Sequence, residues 1–477
     1  MATNVPLVNL DARAIPSARR RRSTRTGHPG ILGIYDRASI DTCDPLMRFG
    51  SDHPQFPSIA EMVRNSRGRD TLPDLRVHDD DEMFAYSEAV CDTPAIATMA
   101  YFRAGLAIAD TLRQIIEGWC GAHPSAVLDF ACGYGRSLRY TVADFGDAVW
   151  ASEILPGAVD FVCDELGAHA FASAADPEQL LCDTRFDVVL VSSLFTHLPR
   201  RTFTRWLQRL HGLLRPDGLL VLSVHDEYLL PPGKSLADGG FYFQPTSEVE
   251  SLDAADYGAT VVNEHFVRTA IEAATGHVAY RRFPTALCFE QDLYAVPADP
   301  GADLARLRVH RGPEGAFEEC EELESGEWVL RGWAATQDDE PVEKVEIYLA
   351  GALIASVDPA DERPDVAAKL RTGRRDGLYS GWQAPVRPGP TEPDTTVIVK
   401  ATTSDAVSGV IWCLRAGDMN VGHPPPAPVQ SKSMLRRVRD ANNEGGPRAV
   451  ARSALHWLSR LGGRPRGPEQ LDRDHGR

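Results

Sequence analysis

Lysine is nearly absent: five residues (Lys234, Lys344, Lys369, Lys400, Lys432) among 50 basic ones, the rest being arginine. With abundant alanine, glycine and proline, this is a coding bias and says nothing of mechanism. No uninterrupted apolar run approaches the roughly 20 residues that a membrane-spanning helix needs, and no apolar stretch follows the N-terminal basic residues as in a signal peptide. A cytoplasmic protein is the expectation. The nine cysteines are scattered, odd in number and never spaced C-x-x-C, which excludes both a disulfide framework and a zinc ribbon as readings. Excess positive charge is lacking too. The net charge of -17 leaves no whole-molecule basic footprint of the kind that phosphate binding requires, so no nucleic acid is expected as partner.

What is present is globular: 43% hydrophobic and 25% charged residues over 477 positions, enough for two or three folded units. Residues 1–27 are polar, contain Arg19 to Arg22, and read as a disordered basic arm. Residues 28–122 read as a helical cap, its apolar residues recurring at helical spacing from Asp80 to Trp119. From 123 to 297 short apolar strands (126–131, 148–153, 168–172, 186–192, 217–225) alternate with helical stretches (135–146, 156–166, 199–214 and Asn263 to Ala274). This is the signature of an α/β domain with a parallel sheet covered on both faces. Two adjacent runs, 277–283 and 286–296, close it as an antiparallel hairpin. Beyond a linker at Ala298 to Gly301, residues 305–416 hold short alternating segments between Gly, Pro and Asp turns, expected to form an all-β sandwich. Residues 417–477 comprise a Pro-rich break and a tail whose segment from Gln430 to Arg477 has 11 basic and 5 acidic residues. Val450, Ala454, Leu455, Leu458 and Leu461 make one amphipathic helix there. It is read as solvated or docked on the protein surface, with peripheral contact to an anionic membrane or partner as the alternative.

The stretch from Val127 to Arg136, VLDFACGYGR, carries the chemistry. A buried strand runs into a glycine turn and then a helix, placing a ligand at the strand's carboxyl end. Glu153 ends the next strand, where a carboxylate can accept both hydroxyls of a ribose. A dinucleotide fingerprint would need glycine where Leu138 stands, which disfavours a nicotinamide-dependent oxidoreductase.

With D-x-x-C-G-x-G spanning Asp129 to Gly135, the segment resembles motif I of class I S-adenosylmethionine-dependent methyltransferases. The run from Phe186 to Pro199 is similar to the family's fourth strand and following loop, and the run from Leu213 to Ser223 to its turn into the fifth. The phrases around Phe195 to Leu198 and Glu290 to Tyr294 resemble methyltransferases of bacterial surface-polysaccharide and glycosyltransferase settings. The resemblance implies a Rossmann-like sheet with helices on both faces and an antiparallel last strand, with S-adenosyl-L-methionine as cofactor. It implies that Asp129, Cys132, Gly133 and Gly135 meet the methionine part and Glu153 the ribose. The loop with Asp176 would lie beside the adenine, Ser193 and His197 near the sulfonium, and Tyr101 or Tyr86 over the cofactor.

Methyl transfer to a hydroxyl needs alignment and a general base, and no metal. His225, at the end of the fifth strand, is the first choice because histidine titrates near neutrality; His197 and Asp292 follow, with Glu264 and His265 behind them. The long insertion from Tyr228 to Gly258 is expected to roof an acceptor pocket. The β module's Val329 to Ala334, Val345 to Tyr348 and Arg363 to Val366 resemble an immunoglobulin-like or carbohydrate-binding-like sandwich, which implies glycan contact. The expected activity is O-methylation of a sugar, surface-glycan or small-molecule hydroxyl. The alternative is a non-catalytic glycan-binding or assembly scaffold that retains the fold.

Overall fold

The structure is a computed structural model that describes residues 47–419 except 231–232, 246–254, 289, 339, 371–377 and 388–390. The expected basic arm and the Pro-rich tail with its amphipathic helix lie outside the described residues.

The chain opens on strand β1 (Met47–Phe49), helix α1 (Phe56–Arg67), strand β2 (Val77–His78), and helices α2 (Glu82–Val90) and α3 (Pro94–Cys120). Local signals set the helix starts. Asp81 caps α2 by accepting the Met83 and Phe84 amides at 2.9 and 3.0 Å. Thr93 caps α3, with Pro94 at the first helical position. The α/β domain follows as β3 (Val127–Phe130), α4 (Leu138–Phe145), β4 (Val149–Glu153), α5 (Pro156–Asp164), β5 (His169–Ala172), β6 (Phe186–Val191), α6 (Arg200–His211) and β7 (Leu214–His225). Then come the small hairpin β8 (Phe241–Gln244) and β9 (Ala259–Val262), α7 (Glu264–Thr275), β10 (Arg281–Leu287) and β11 (Gln291–Pro297). Helix α4 begins three residues later than the periodicity suggests, because residues 133 to 135 are spent on a left-handed turn.

Seven strands make one sheet in the order β10-β11-β7-β6-β3-β4-β5. The five strands from β7 to β5 are parallel, and β11 runs antiparallel to both β7 and β10. Strand order reverses at β3, which is flanked by β6 on one side and β4 on the other. The carboxyl ends of these strands therefore form the crevice where such sheets bind ligands. Central β3 is buried along its whole length and β6 at every residue but Asp187, as expected of a sheet covered on both faces. This is the Rossmann-like fold with an antiparallel last strand.

The C-terminal region has β12 (Glu314–Glu322), β13 (Trp328–Ala335), β14 (Val342–Leu349), β15 (Ala352–Val357), α8 (Pro364–Leu370), β16 (Gly381–Val386), β17 (Thr396–Thr403) and β18 (Ser408–Arg415). Its strands form two antiparallel sheets, β12-β13-β16 and β15-β14-β17-β18. Residues of both sheets belong to one apolar core, and that core continues into the N-terminal helices through Ile59, Met62, Val63 and Met99. Cys413 donates its backbone N–H to Met99 Sδ at 3.2 Å and its thiol to the Ser58 carbonyl at 3.2 Å. Partly buried Arg103 of α3 donates to the carbonyls of Gly315 and Ile411. Residues 298–313 are not a free tether. Leu307 is fully buried, Arg306 lies 4.0 Å over the Trp119 ring, and Gln114 and His310 exchange two hydrogen bonds. Among the described residues, no helix is long and apolar enough to cross a membrane.

Candidate active site

The turn after β3 needs three successive left-handed residues, Ala131, Gly133 and Gly135, interleaved with ordinary ones. The two glycines serve different ends. A Cβ on Gly135 would stand 2.4 Å from Leu166 Cδ1, so this position lets the turn seat against the α5 region. A Cβ on Gly133 would meet nothing within 4 Å, so its bareness leaves room rather than packing.

Glu153, 7% exposed at the end of β4, reaches back to that room. Its Oε2 accepts the Gly133 amide at 2.8 Å and its Oε1 the Ile154 amide at 2.6 Å. Oε1 also takes the Leu155 amide at 3.4 Å, and because a carboxylate has about four lone-pair sites, Oε2 with its single backbone donor keeps acceptor capacity for a ribose hydroxyl. Asp129, at 1% exposure, is deeper, and its Oδ2 has no hydrogen-bond partner in the structure. Burial first, then the nearby Glu153 charge, pushes its carboxyl up to about 7. Cys132, beside them, has its thiol pushed well up by burial and then by Asp129, which makes it a packing group rather than a nucleophile.

At the carboxyl ends of β6 and β7 and the adjacent amino end of antiparallel β11 a closed ring of hydrogen bonds forms. The Ser193 amide donates to Ser223 Oγ at 2.7 Å, Ser223 Oγ donates to Gln291 Oε1 at 2.6 Å, and Gln291 Nε2 donates to Ser193 Oγ at 2.9 Å. Ser193 sits at φ 65°, a strained value for a residue with a side chain. Gln291 and Ser223 lie within the family-like phrases of the sequence, where neither was given a role in the site.

The three candidate bases differ in what already engages them. His197 donates from Nδ1 to the Gly258 carbonyl at 2.8 Å and stacks on Tyr257 at 4.5 Å, holding the insertion onto the sheet edge. Asp292, fully buried, accepts from Arg282 Nε at 2.7 Å and from the Thr285 amide at 2.8 Å. Arg282 also binds Asp226 and Glu264, so Glu264 is likewise held in an ion-pair knot. His225 is buried and hydrogen-bonded to the Thr260 backbone; burial lowers its imidazole to about 4, so it is neutral through the physiological range. His265 is an exposed residue of α7.

Asp176 caps a short turn by accepting the Glu178 amide and pairs with Arg205 at 2.7 Å on the surface beyond β5. Tyr101 donates its hydroxyl to Asp81 Oδ2 at 2.5 Å and is fully buried, which ties α3 to the start of α2. Tyr86 is partly buried against the apolar cluster that joins α3 to the sheet. A separate polar cavity of about 380 Å³ lies between the segment before β12 and the β module, lined by His310, Arg311, Gln337, Asp338, Glu340 and Asp405. It shares no residue with the turn after β3.

Residues 127–218 match a family model described as a methyltransferase domain. No curated protein matches the chain. Among solved structures, a Burkholderia thailandensis 1,6-didemethyltoxoflavin-N1-methyltransferase with bound S-adenosylhomocysteine is 22% identical, with a TM-score of 0.29, over 40% of this chain and 77% of that one. CalS10, an amino pentose methyltransferase from Micromonospora echinaspora with bound S-adenosylmethionine, is 18% identical with a TM-score of 0.30 over 42% and 92%. The N-terminal domain of EvdMO1 with bound S-adenosylhomocysteine is 19% identical with a TM-score of 0.30 over 40% and 79%. The family match spans the turn after β3, Glu153 and Ser193, and the chain carries a methyltransferase domain.

Proposed function

We propose that this domain uses S-adenosyl-L-methionine to methylate a hydroxyl of a sugar or related small molecule. The observation that carries the cofactor is Asp129: a buried carboxylate oxygen without a partner, beside an open glycine turn and a second carboxylate, asks for a cationic ligand that also carries a diol. The polysaccharide setting rests on the phrases of the sequence, and amino-sugar methylation by CalS10 accords with it.

When bound, S-adenosylmethionine supplies an electrophilic methyl on sulfur. The residues of this chain have three tasks around it. Asp129 and the Gly133 and Gly135 turn hold the amino-acid end, and Glu153 accepts the ribose hydroxyls. The ring of Ser193, Ser223 and Gln291 fixes the strand ends where donor and acceptor must align, the step from which most of the rate is expected. His225, neutral and with one ring nitrogen beyond its Thr260 bond, takes the proton from the acceptor hydroxyl. The cytoplasm is the proposed compartment, and the β module is proposed to contact the glycan that bears the acceptor.

Calorimetric titration with S-adenosylmethionine and S-adenosylhomocysteine tests the cofactor, and transfer of isotope-labelled methyl to a panel of free and lipid-linked sugars tests the acceptor. Saturable binding that Glu153→Ala weakens is expected. A folded protein that binds neither compound refutes the reading and leaves the scaffold alternative.

A further inference from the structure

The segment from Leu72 to Glu82 crosses the turn after β3 as a strap. Arg139 of α4, 2% exposed, staples it there: its guanidinium donates to the carbonyls of Asp74 and Arg76 on the strap, at 3.1 and 2.7 Å, and to that of Gly135 on the turn at 3.0 Å. His78 stacks on Tyr134 of the turn at 4.8 Å with the rings 14° apart. The strap ends at Asp81, which caps α2 and accepts the Tyr101 hydroxyl, and at Glu82, which begins α2.

Four carboxylates thereby surround one turn: Asp81 and Glu82 from the strap, Asp129 and Glu153 from the sheet. Glu82 lies in the field of Glu153 and Asp81, and Tyr134 in that of Asp81, Glu82 and Glu153 together. Arg136, the residue after Gly135, has a buried Nη1 without a hydrogen-bond partner and offsets one of these charges; the other cations beside them are committed. Arg76 pairs with Asp74 and Glu165, and Arg139 is spent on carbonyls. The independent sign that this negative charge faces a ligand is Asp129, at 1% exposure, with Oδ2 unpartnered.

We propose that Glu82 completes an anionic cofactor pocket that selects by charge, holding the sulfonium donor in preference to the thioether product. The proposal rests on the reading of the site as one for S-adenosylmethionine. That donor has a sulfonium, an ammonium and a carboxylate, a net of one positive charge; S-adenosylhomocysteine lacks the sulfonium charge and is neutral overall. A further carboxylate adds net attraction for the donor, whose net charge is positive, and little for the product, whose ammonium and carboxylate cancel, so product leaves an anionic pocket more readily than donor.

The test is titration of the intact chain with both compounds at pH 8 and low salt, read as the ratio of the S-adenosylhomocysteine Kd to the S-adenosylmethionine Kd. Glu82→Gln should lower that ratio about five-fold, the size expected for one half-buried unit charge several ångströms away, by weakening S-adenosylmethionine more than S-adenosylhomocysteine. Glu88→Gln, at the far end of α2 and paired with Arg48, should leave the ratio as it is. Glu82→Ala repeats the measurement should the glutamine variant fail to fold. An unchanged ratio in a variant that still binds both compounds overturns this proposal alone. Failure of the wild-type chain to bind either compound overturns the cofactor reading itself.

Discussion

Asp129→Asn should make the empty protein more stable while it abolishes its ligand affinity. The native carboxyl titrates at about 7 against an ordinary 3.8, because it is buried without a partner for Oδ2 and faces Glu153. A raised carboxylate binds its proton more tightly folded than unfolded. Its ionisation therefore costs nothing below pH 3.8, costs progressively more from there to 7, and has its full effect above 7. A displacement of this size corresponds to about 4 kcal/mol at pH 8, and the asparagine amide left in the same place reduces the expected gain to about 2–3 kcal/mol. Urea unfolding of wild type and variant at pH 4, 6 and 8 measures it. At pH 4 the variant should be about 1 kcal/mol less stable than wild type, because the amide's cost remains, and the difference should turn to its full gain at pH 8, while calorimetry at pH 8 shows S-adenosylmethionine binding lost. A variant less stable than wild type at pH 8, or a gain that is the same at all three pH values, would refute the argument that Asp129 is an uncompensated charge kept for a ligand.

Three further outcomes follow from the geometry. Gly133→Ala should cost only about 1 kcal/mol of left-handed strain yet block the cofactor, whereas Gly135→Ala should cost about 3 kcal/mol because its Cβ also meets Leu166; unfolding curves beside titrations separate the two. Arg139→Met should lose about 3–5 kcal/mol by orphaning the buried carbonyls it serves, and a loss below 1 kcal/mol would show that the strap holds without it. With His225 as base, kcat at saturating cofactor should stay level from pH 8 down to about 5, since its imidazole is lowered to about 4; a limb near 6.5 would move the role to an ordinary histidine.

The α/β half of the molecule was largely legible because its strands are buried on both faces and its turns demand glycine: β3, β4, β6 and β7 fall within a few residues of the apolar runs that announce them. The β module was less so. Strand β12, EGAFEECEE, hides its pairing behind acidic residues whose side chains point outward at its second half, and β16 is a short run between Gly381 and Val386. For the site, a motif shows which residues stand near a ligand but not which are already engaged. The Gly258 carbonyl that occupies His197 is 61 residues away, and the hydroxyls that bind Gln291 come from β7 and from the loop after β6. Arg139, one residue after Leu138 in a helical pattern, carries no sequence sign that its charge is wholly internal. Long-range pairing of this kind is set by topology, which a linear pattern does not contain.

Helix α3, at 27 residues roughly 40 Å long, lends the Tyr101 end to the strap beside the cofactor turn and Met99 and Arg103 to the β module. A protein built this way does not recombine like beads on a string. A crossover at Ala298 to Gly301 that exchanged the C-terminal sheets for a foreign domain would leave Ile59, Val63 and Met99 facing a surface shaped for something else. The catalytic and β-rich halves are therefore bound to be inherited together, with change in one face of α3 answered by change in β12 and β18.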